Sequence, residues 1–126
     1  MLQAWMSINS WKETAIFSSG PGARLSRVKA KLSYKGSMRG EAKAFLVLQY
    51  EDEKSGIWEG WQIFDGRFED KKGRLMLRMS GNFSQESRSF RYAVIPGSGT
   101  AALEDFNFEG SVVMEGNGPY EIEITV

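Results

Sequence analysis

Arg27-Val28-Lys29-Ala30-Lys31-Leu32-Ser33-Tyr34-Lys35-Gly36-Ser37-Met38-Arg39 is the stretch on which the fold turns. Its odd positions are Arg, Lys, Lys, Ser, Lys, Ser and Arg, while its even positions are Val, Ala, Leu, Tyr, Gly and Met. Side chains of a β-strand point to opposite faces with period two, so this segment reads as a strand with one buried and one wet face. A helix would spread Lys and Leu around every side.

Working outward, Glu41 to Tyr50 continues the pattern, with Ala42, Ala44, Leu46, Leu48 and Tyr50 on one face and Glu41 and Lys43 opening the other. Phe45 and Val47 interrupt that polar face, which points to a cover such as the N-terminal segment or another subunit. Gly36 and Gly40 bracket a turn suited to a bulged hairpin. Glu51–Gly56 and Asp70–Gly73 read as further turns around Ile57–Phe68, and Leu75, Leu77 and Met79 alternate in a strand reaching about Phe83. Gln85-Glu86-Ser87 turns the chain into Ser89–Ile95, which Pro96-Gly97-Ser98-Gly99-Thr100 must break. Phe106, Phe108, Gly110, Val112 and Met114 then share a face. After a turn at Gly116–Pro119, Ile122, Ile124 and Val126 alternate with Glu121, Glu123 and Thr125.

With Leu2–Ile8 at the front, these segments make about eight strands. Fourteen glycines clustered near turns, three prolines and no convincing amphipathic helix favour a meander over a βαβ arrangement. Eight antiparallel strands commonly remove their free edges by closing, so the expected fold is all-β, a closed eight-stranded antiparallel barrel, with a β-sandwich as the runner-up. Residues 1–126 are expected to form a single domain, since 126 residues suffice for one core and no linker or repeat divides them.

Composition narrows the chemistry. The chain is 41% hydrophobic and 25% charged, which argues against disorder, and it contains no cysteine and no histidine. That excludes disulfides, thiolate nucleophiles, Ser-His-Asp and Cys-His arrangements and the usual zinc, copper or haem ligation, so no metal and no cofactor is expected. Met1-Leu2-Gln3-Ala4-Trp5 lacks the basic and apolar regions of a signal peptide, and no run approaches the length of a membrane span. The expected location is cytoplasmic, with no membrane partner.

Several residues together carry a family resemblance: Ser10-Trp11-Lys12-Glu13, Gly36 and Gly40, Gly60 and Gly66 in an aromatic strand, Gly81-Asn82-Phe83, and above all Pro96-Gly97-Ser98-Gly99-Thr100 followed by Leu103. In their order they resemble the mostly bacterial family called domain of unknown function 3224, over nearly the whole chain. The resemblance implies a barrel similar to those of allene oxide cyclases and dirigent proteins, which hold apolar or aromatic small molecules. It implies no chemistry, because one fold hosts many functions. One position departs from the family pattern: Gln62 stands where relatives often carry Glu two residues after the glycine matching Gly60. If that acid serves as a proton donor or acceptor in relatives, this chain has lost it.

The candidate interior contains Tyr34, Tyr50, Leu46, Leu48, Trp58, Gln62 and Phe64, with small residues at Ala30, Gly36, Ala42 and Ala44. An eight-stranded barrel is just wide enough to be filled by side chains or to hold one small ligand. Tyr34, Tyr50, Trp58, Gln62 and Phe64 are therefore the candidate ligand-binding residues, Gln62 orienting a small apolar or aromatic molecule. Periodicity leaves two registers open for Ile57–Phe64, and the resemblance, by aligning Gly60 and Gln62 with a paired Gly and Glu, implies the one with Gln62 inward. The alternative places Ile57, Glu59, Trp61 and Ile63 inside, where burial would raise the pKa of Glu59 and make it a candidate general acid or base. A binding module thus stands beside a metal-free cyclase or isomerase that confines one substrate conformer. The Pro96–Thr100 loop reads either as a tight turn whose Ser and Thr satisfy backbone groups or as an anion nest.

Charge cancels overall, 16 basic against 16 acidic residues, yet it is unevenly distributed. Residues 24–43 carry seven basic and one acidic side chain, and residues 92–126 carry six acidic and no basic ones. Neutrality argues against a nucleic-acid partner. Phe45, Val47, Trp61 and Ile63 fall together on the expected outer face, which predicts a homo-oligomer whose contact is centred on Phe45, Val47 and Trp61.

Overall fold

The computed structural model describes residues 2–20 and 23–125, so Val126, expected to end the last alternating strand, lies outside the described residues. The chain is a closed barrel of eight antiparallel strands in sequence order, the last returning to pair with the first, and the β-sandwich is set aside. The strands are β1 (Leu2–Ser18), β2 (Arg24–Gly36), β3 (Met38–Tyr50), β4 (Gly56–Phe68), β5 (Lys71–Phe83), β6 (Arg88–Val94), β7 (Glu109–Met114) and β8 (Tyr120–Thr125). A single 3₁₀ turn, Ala101–Leu103, interrupts the β pattern among the described residues. Among the described residues no helix is long and apolar enough to cross a membrane.

The alternation read from Arg27–Arg39 is the alternation observed: Val28, Ala30, Leu32 and Tyr34 are buried, and Arg27, Lys29, Lys31 and Lys35 are exposed. Cross-strand pairing carries this parity around the wall, from Ala30 to Ala44, Gln62 and Leu77 and on to Val94. A one-residue slip anywhere would turn a whole strand inside out, so each buried face holds its neighbour's register.

Three boundaries differ from the sequence expectation. β1 runs for 17 residues instead of ending near Ile8, and bulges at Ile8/Ser10 and Ala15/Phe17 shift its register against β2. The first bulge exchanges the inward set: Ala4 and Met6 face the core, but beyond it Trp11 and Glu13 stand opposite the inward residues Ala30 and Val28. The turn placed at Asp70–Gly73 is tighter, with Glu69 at φ 55° and strand resuming at Lys71. β6 begins at Arg88 and ends at Val94, one residue earlier at each end than Ser89–Ile95.

The Pro96–Thr100 loop is the expected backbone-satisfying turn. Its hydroxyls continue the β5 ladder where β6 stops: the Arg74 N–H donates to Thr100 Oγ1 at 3.1 Å and the Met76 N–H to Ser98 Oγ at 3.1 Å. The Thr100 N–H donates in turn to the Arg74 carbonyl at 2.9 Å. With its polar groups spent on β5, the loop carries Leu103, fully buried, beneath one end of the barrel.

Outside, charge divides the barrel in two. The outer faces of β2–β5 carry Arg27, Lys29, Lys31, Lys35, Arg39, Lys43, Arg67, Lys72, Arg74 and Arg78 against Glu41, Glu59 and Asp65, all exposed. The outer faces of β6–β8 carry Glu109, Glu121 and Glu123 against Arg91.

Candidate functional site

One end of the barrel is solid and the other is open. At the closed end Tyr34, Gly40, Gly66 and Gly73 occupy one hydrogen-bonded rung. The absent side chains leave room for the Phe64 ring beside Gly66 and for Leu103 over Gly73, where added Cβ atoms would clash. Phe68, Phe106 and Phe108 stack below, with ring centroids 4.4 to 5.5 Å apart. Aromatic rings at this spacing pack edge against face.

Above this plug lies a polar pair. The Tyr34 hydroxyl donates to Gln62 Oε1, and Gln62 Nε2–H donates to Met79 Sδ at 2.8 Å. Gln62 is 1% exposed, and its oxygen and its nitrogen each have a hydrogen-bond partner, as buried polar atoms generally do. Burial pushes the Tyr34 phenol well above its ordinary pKa, with the bond to Gln62 opposing and Tyr92 adding a little. Tyr92 is likewise raised by burial, and its hydroxyl donates to the Glu123 carbonyl at 3.0 Å.

Toward the other end the interior opens into a cavity of about 270 Å³. Its walls are Met6, Ile8, Leu32, Leu46, Leu48, Trp58, Met79, Phe90 and Met114, widened by the small side chains of Ala30 and Ala44. Tyr50, Phe83, Arg88 and Met114 mark the last rung, together with Gly56. The seam between β8 and β1 covers only Leu2–Met6, and β7 pairs with β8 only over Glu109–Ser111. At the mouth, therefore, the upper half of β1 stands without β8 beside it, and Trp11, 47% exposed, and Glu13 reach over the opening.

Ionisable groups gather at this mouth. The Tyr50 hydroxyl donates to Glu13 Oε2 at 2.7 Å, and the Trp11 indole N–H to Glu13 Oε1 at 3.4 Å. The Arg24 guanidinium lies 3.8 Å from the Tyr50 ring centroid, a cation–π contact, and its Nε is buried without a hydrogen-bond partner. Partial burial raises the Tyr50 pKa, as does its bond to Glu13, while Arg24 acts in the opposite direction. Across the barrel Arg88 donates to the Tyr120 hydroxyl at 3.2 Å and the Gly116 carbonyl at 3.3 Å.

The sequence candidates therefore separate. Tyr50 and Trp58 line the cavity, whereas Tyr34, Gln62 and Phe64 face inward but belong to the packed floor and do not line it. Glu59 lies on the outer face, 3.7 Å from Arg78, so the register that put it inside is not adopted. Trp11, Glu13, Phe83 and Arg88 also line the cavity and were not among the sequence candidates. Trp11 and Glu13 carried a signal, being part of the resembling motif, but the Ile8/Ser10 bulge that turns them inward has no marker in composition.

Comparison with known proteins gives a family and a fold. The family model described as protein of unknown function (DUF3224) matches residues 3–125. A crystal structure of a protein of unknown function from that family, from Shewanella oneidensis MR-1, superposes with a TM-score of 0.73 at 16% identity, covering 98% of this chain and 95% of its own. No curated protein matches the chain.

Proposed function

We propose, for a chain that belongs to the DUF3224 family of proteins of unknown function, that the barrel binds one small apolar or aromatic molecule through its open end. The observation that carries this reading is the segregation of the cavity: apolar and aromatic walls below, and Glu13, Tyr50 and Arg88 confined to the mouth. Small-molecule sites have this form, a mostly apolar concavity with a few polar groups that fix orientation. The ligand body would lie among Leu32, Ala44, Leu46, Trp58 and Met79, and a polar end would meet the mouth. Of the residues expected from sequence, Tyr50 and Trp58 keep a binding role and Tyr34, Gln62 and Phe64 support the floor. The expected likeness to allene oxide cyclase and dirigent barrels favours the same class of ligand.

Uptake of an apolar fluorophore tests the proposal. Ala44→Phe, which projects a ring into the cavity, should abolish the fluorescence gain while the protein stays folded by circular dichroism. Native mass spectrometry of protein purified from its own host should also show an added small-molecule mass. No uptake by the unmodified barrel, together with a bare mass, would remove the binding role.

A second reading, a metal-free cyclase or isomerase, is favoured by the Glu13 carboxylate that accepts from Tyr50 at the cavity mouth. A proton acceptor beside a confined ligand meets the first requirement of general acid–base catalysis. Glu13→Gln separates the two: binding retained with turnover lost supports catalysis, and absence of turnover in the unmodified protein bound to its co-purified ligand opposes it.

A further inference from the structure

Phe45, Val47, Ile57, Trp61 and Ile63 stand 39 to 49% exposed on the outer faces of β3 and β4. Phe45 pairs directly with Trp61, so the side chains form one ridge across two adjacent strands instead of scattered apolar residues. A contiguous apolar ridge on a soluble surface marks an interface more often than single exposed side chains do. Basic side chains flank it on both sides, on β2 and on β5. Of the three acids on this half, Asp65 and Glu59 are already held by Arg74 at 3.2 Å and Arg78 at 3.7 Å. The face therefore offers an apolar strip between unmatched positive charges.

Its occupant must be apolar in part and acidic. A two-fold dimer through this face would set like charge against like charge, which is unfavourable. The opposite half of the barrel is the more acidic: Glu121 stands beside exposed Trp5, and Glu109 and Glu123 share the outer faces of β7 and β8 with exposed Val113, bordered by Lys35 on β2 and Arg91 on β6. We propose that a second copy of this chain docks its β7–β8–β1 face onto the β3–β4 ridge, a heterologous contact in which each protomer uses two different surfaces. Electrostatic attraction orients the copies and the aromatic ridge supplies the buried surface.

Mixing two variants tests this. Trp61→Glu breaks the ridge, and the double variant Glu121→Lys, Glu123→Lys breaks the acidic face; Ile63→Lys replaces the first should it fail to fold. By analytical ultracentrifugation at high micromolar concentration, the unmodified protein should self-associate, less so as salt is raised, and each variant alone should be monomeric. An equimolar mixture should then form a dimer of twice the monomer mass, because one intact face of each kind remains. A monomeric unmodified protein would overturn the proposal, whether or not it sediments with phosphatidylserine vesicles. So would self-association with no dimer in the mixture, since that identifies a contact between like faces.

Discussion

Gln62→Glu tests whether the polar pair under the cavity lies in a dry floor. The side chain is 1% exposed, its oxygen accepts from Tyr34 and its nitrogen donates to Met79 Sδ. A protonated carboxyl reproduces this pattern, its carbonyl accepting from Tyr34 and its O–H donating toward the sulfur. An ionised one does not, because it loses the donor and leaves water with nothing but the Tyr34 hydroxyl in return. Full burial can raise a carboxyl pKa by about 3 to 5 pH units, and the tyrosine bond offsets part of that, leaving a rise of about two above the unfolded value near 4.3. A group raised in the folded state contributes stability that is fully present below the unfolded pKa and lost as pH climbs through the folded one. At about 1.4 kcal/mol per pH unit, the variant should match the parent at about pH 4 and fall about 3 kcal/mol below it at about pH 8. Urea denaturation of both proteins across that range gives the difference directly. A gap that does not change with pH would mean that water reaches position 62, and the cavity would then have to extend through the floor.

Other outcomes follow from the packing and the hydrogen bonds. Leu77→Ala and Ile124→Ala, each in fully buried surroundings, should cost about 3 to 4 kcal/mol by urea denaturation, more than Leu46→Ala, whose neighbours already border empty space. Thr100→Val leaves the Arg74 N–H without its acceptor and should lower stability by about 1 to 2 kcal/mol, with faster amide exchange at Arg74. Tyr34 and Tyr92 are both raised by burial, so their stabilisation is held below the unfolded value of about 10 and lost at higher pH. An alkaline unfolding curve should therefore steepen from about pH 10, and Tyr34→Phe should flatten it.

The fold was legible because period-two alternation is enforced by a core on one face only. Arg27–Arg39 can keep its lysines in water while burying its apolar side chains only as a strand with one wet face, and the pairing of that strand with β3 fixes Ala42–Tyr50 in turn. The outer half of β1 was not legible for the converse reason. Ser10–Ser18 is exposed along its length, so neither face imposes a pattern, and what holds it extended is the ladder to β2 with the Tyr50–Glu13 hydrogen bond. Bulges in such a strand cost little and leave no trace in hydrophobicity, although each reverses which residues face in.

That reversal also explains why Trp11 and Glu13 were not anticipated beside the cavity. Inward parity placed Tyr34 and Tyr50, and the family resemblance, by aligning Gly60 and Gln62 with a paired Gly and Glu, chose the register that adds Trp58, Gln62 and Phe64; all five share one face of three neighbouring strands. Parity cannot say at which height along the barrel space remains. Height is decided by elements distant in sequence: Leu103 and Phe106 arrive from beyond β6 to fill one end, and the short β8 leaves the other end unsealed. Tyr34 and Tyr50, sixteen positions apart and both inward, consequently meet opposite fates, one locked against Gln62 in the floor and one bonded to Glu13 at the opening. The distribution of polar groups then follows from solvent access. Within the floor only a neutral, mutually satisfied pair is tolerated, whereas the carboxylate and guanidinium groups of Glu13 and Arg88 keep contact with water while still bordering the apolar cavity. A ligand entering this barrel would pass charged and aromatic side chains first and apolar ones last, so its polar end is the part those mouth residues can select.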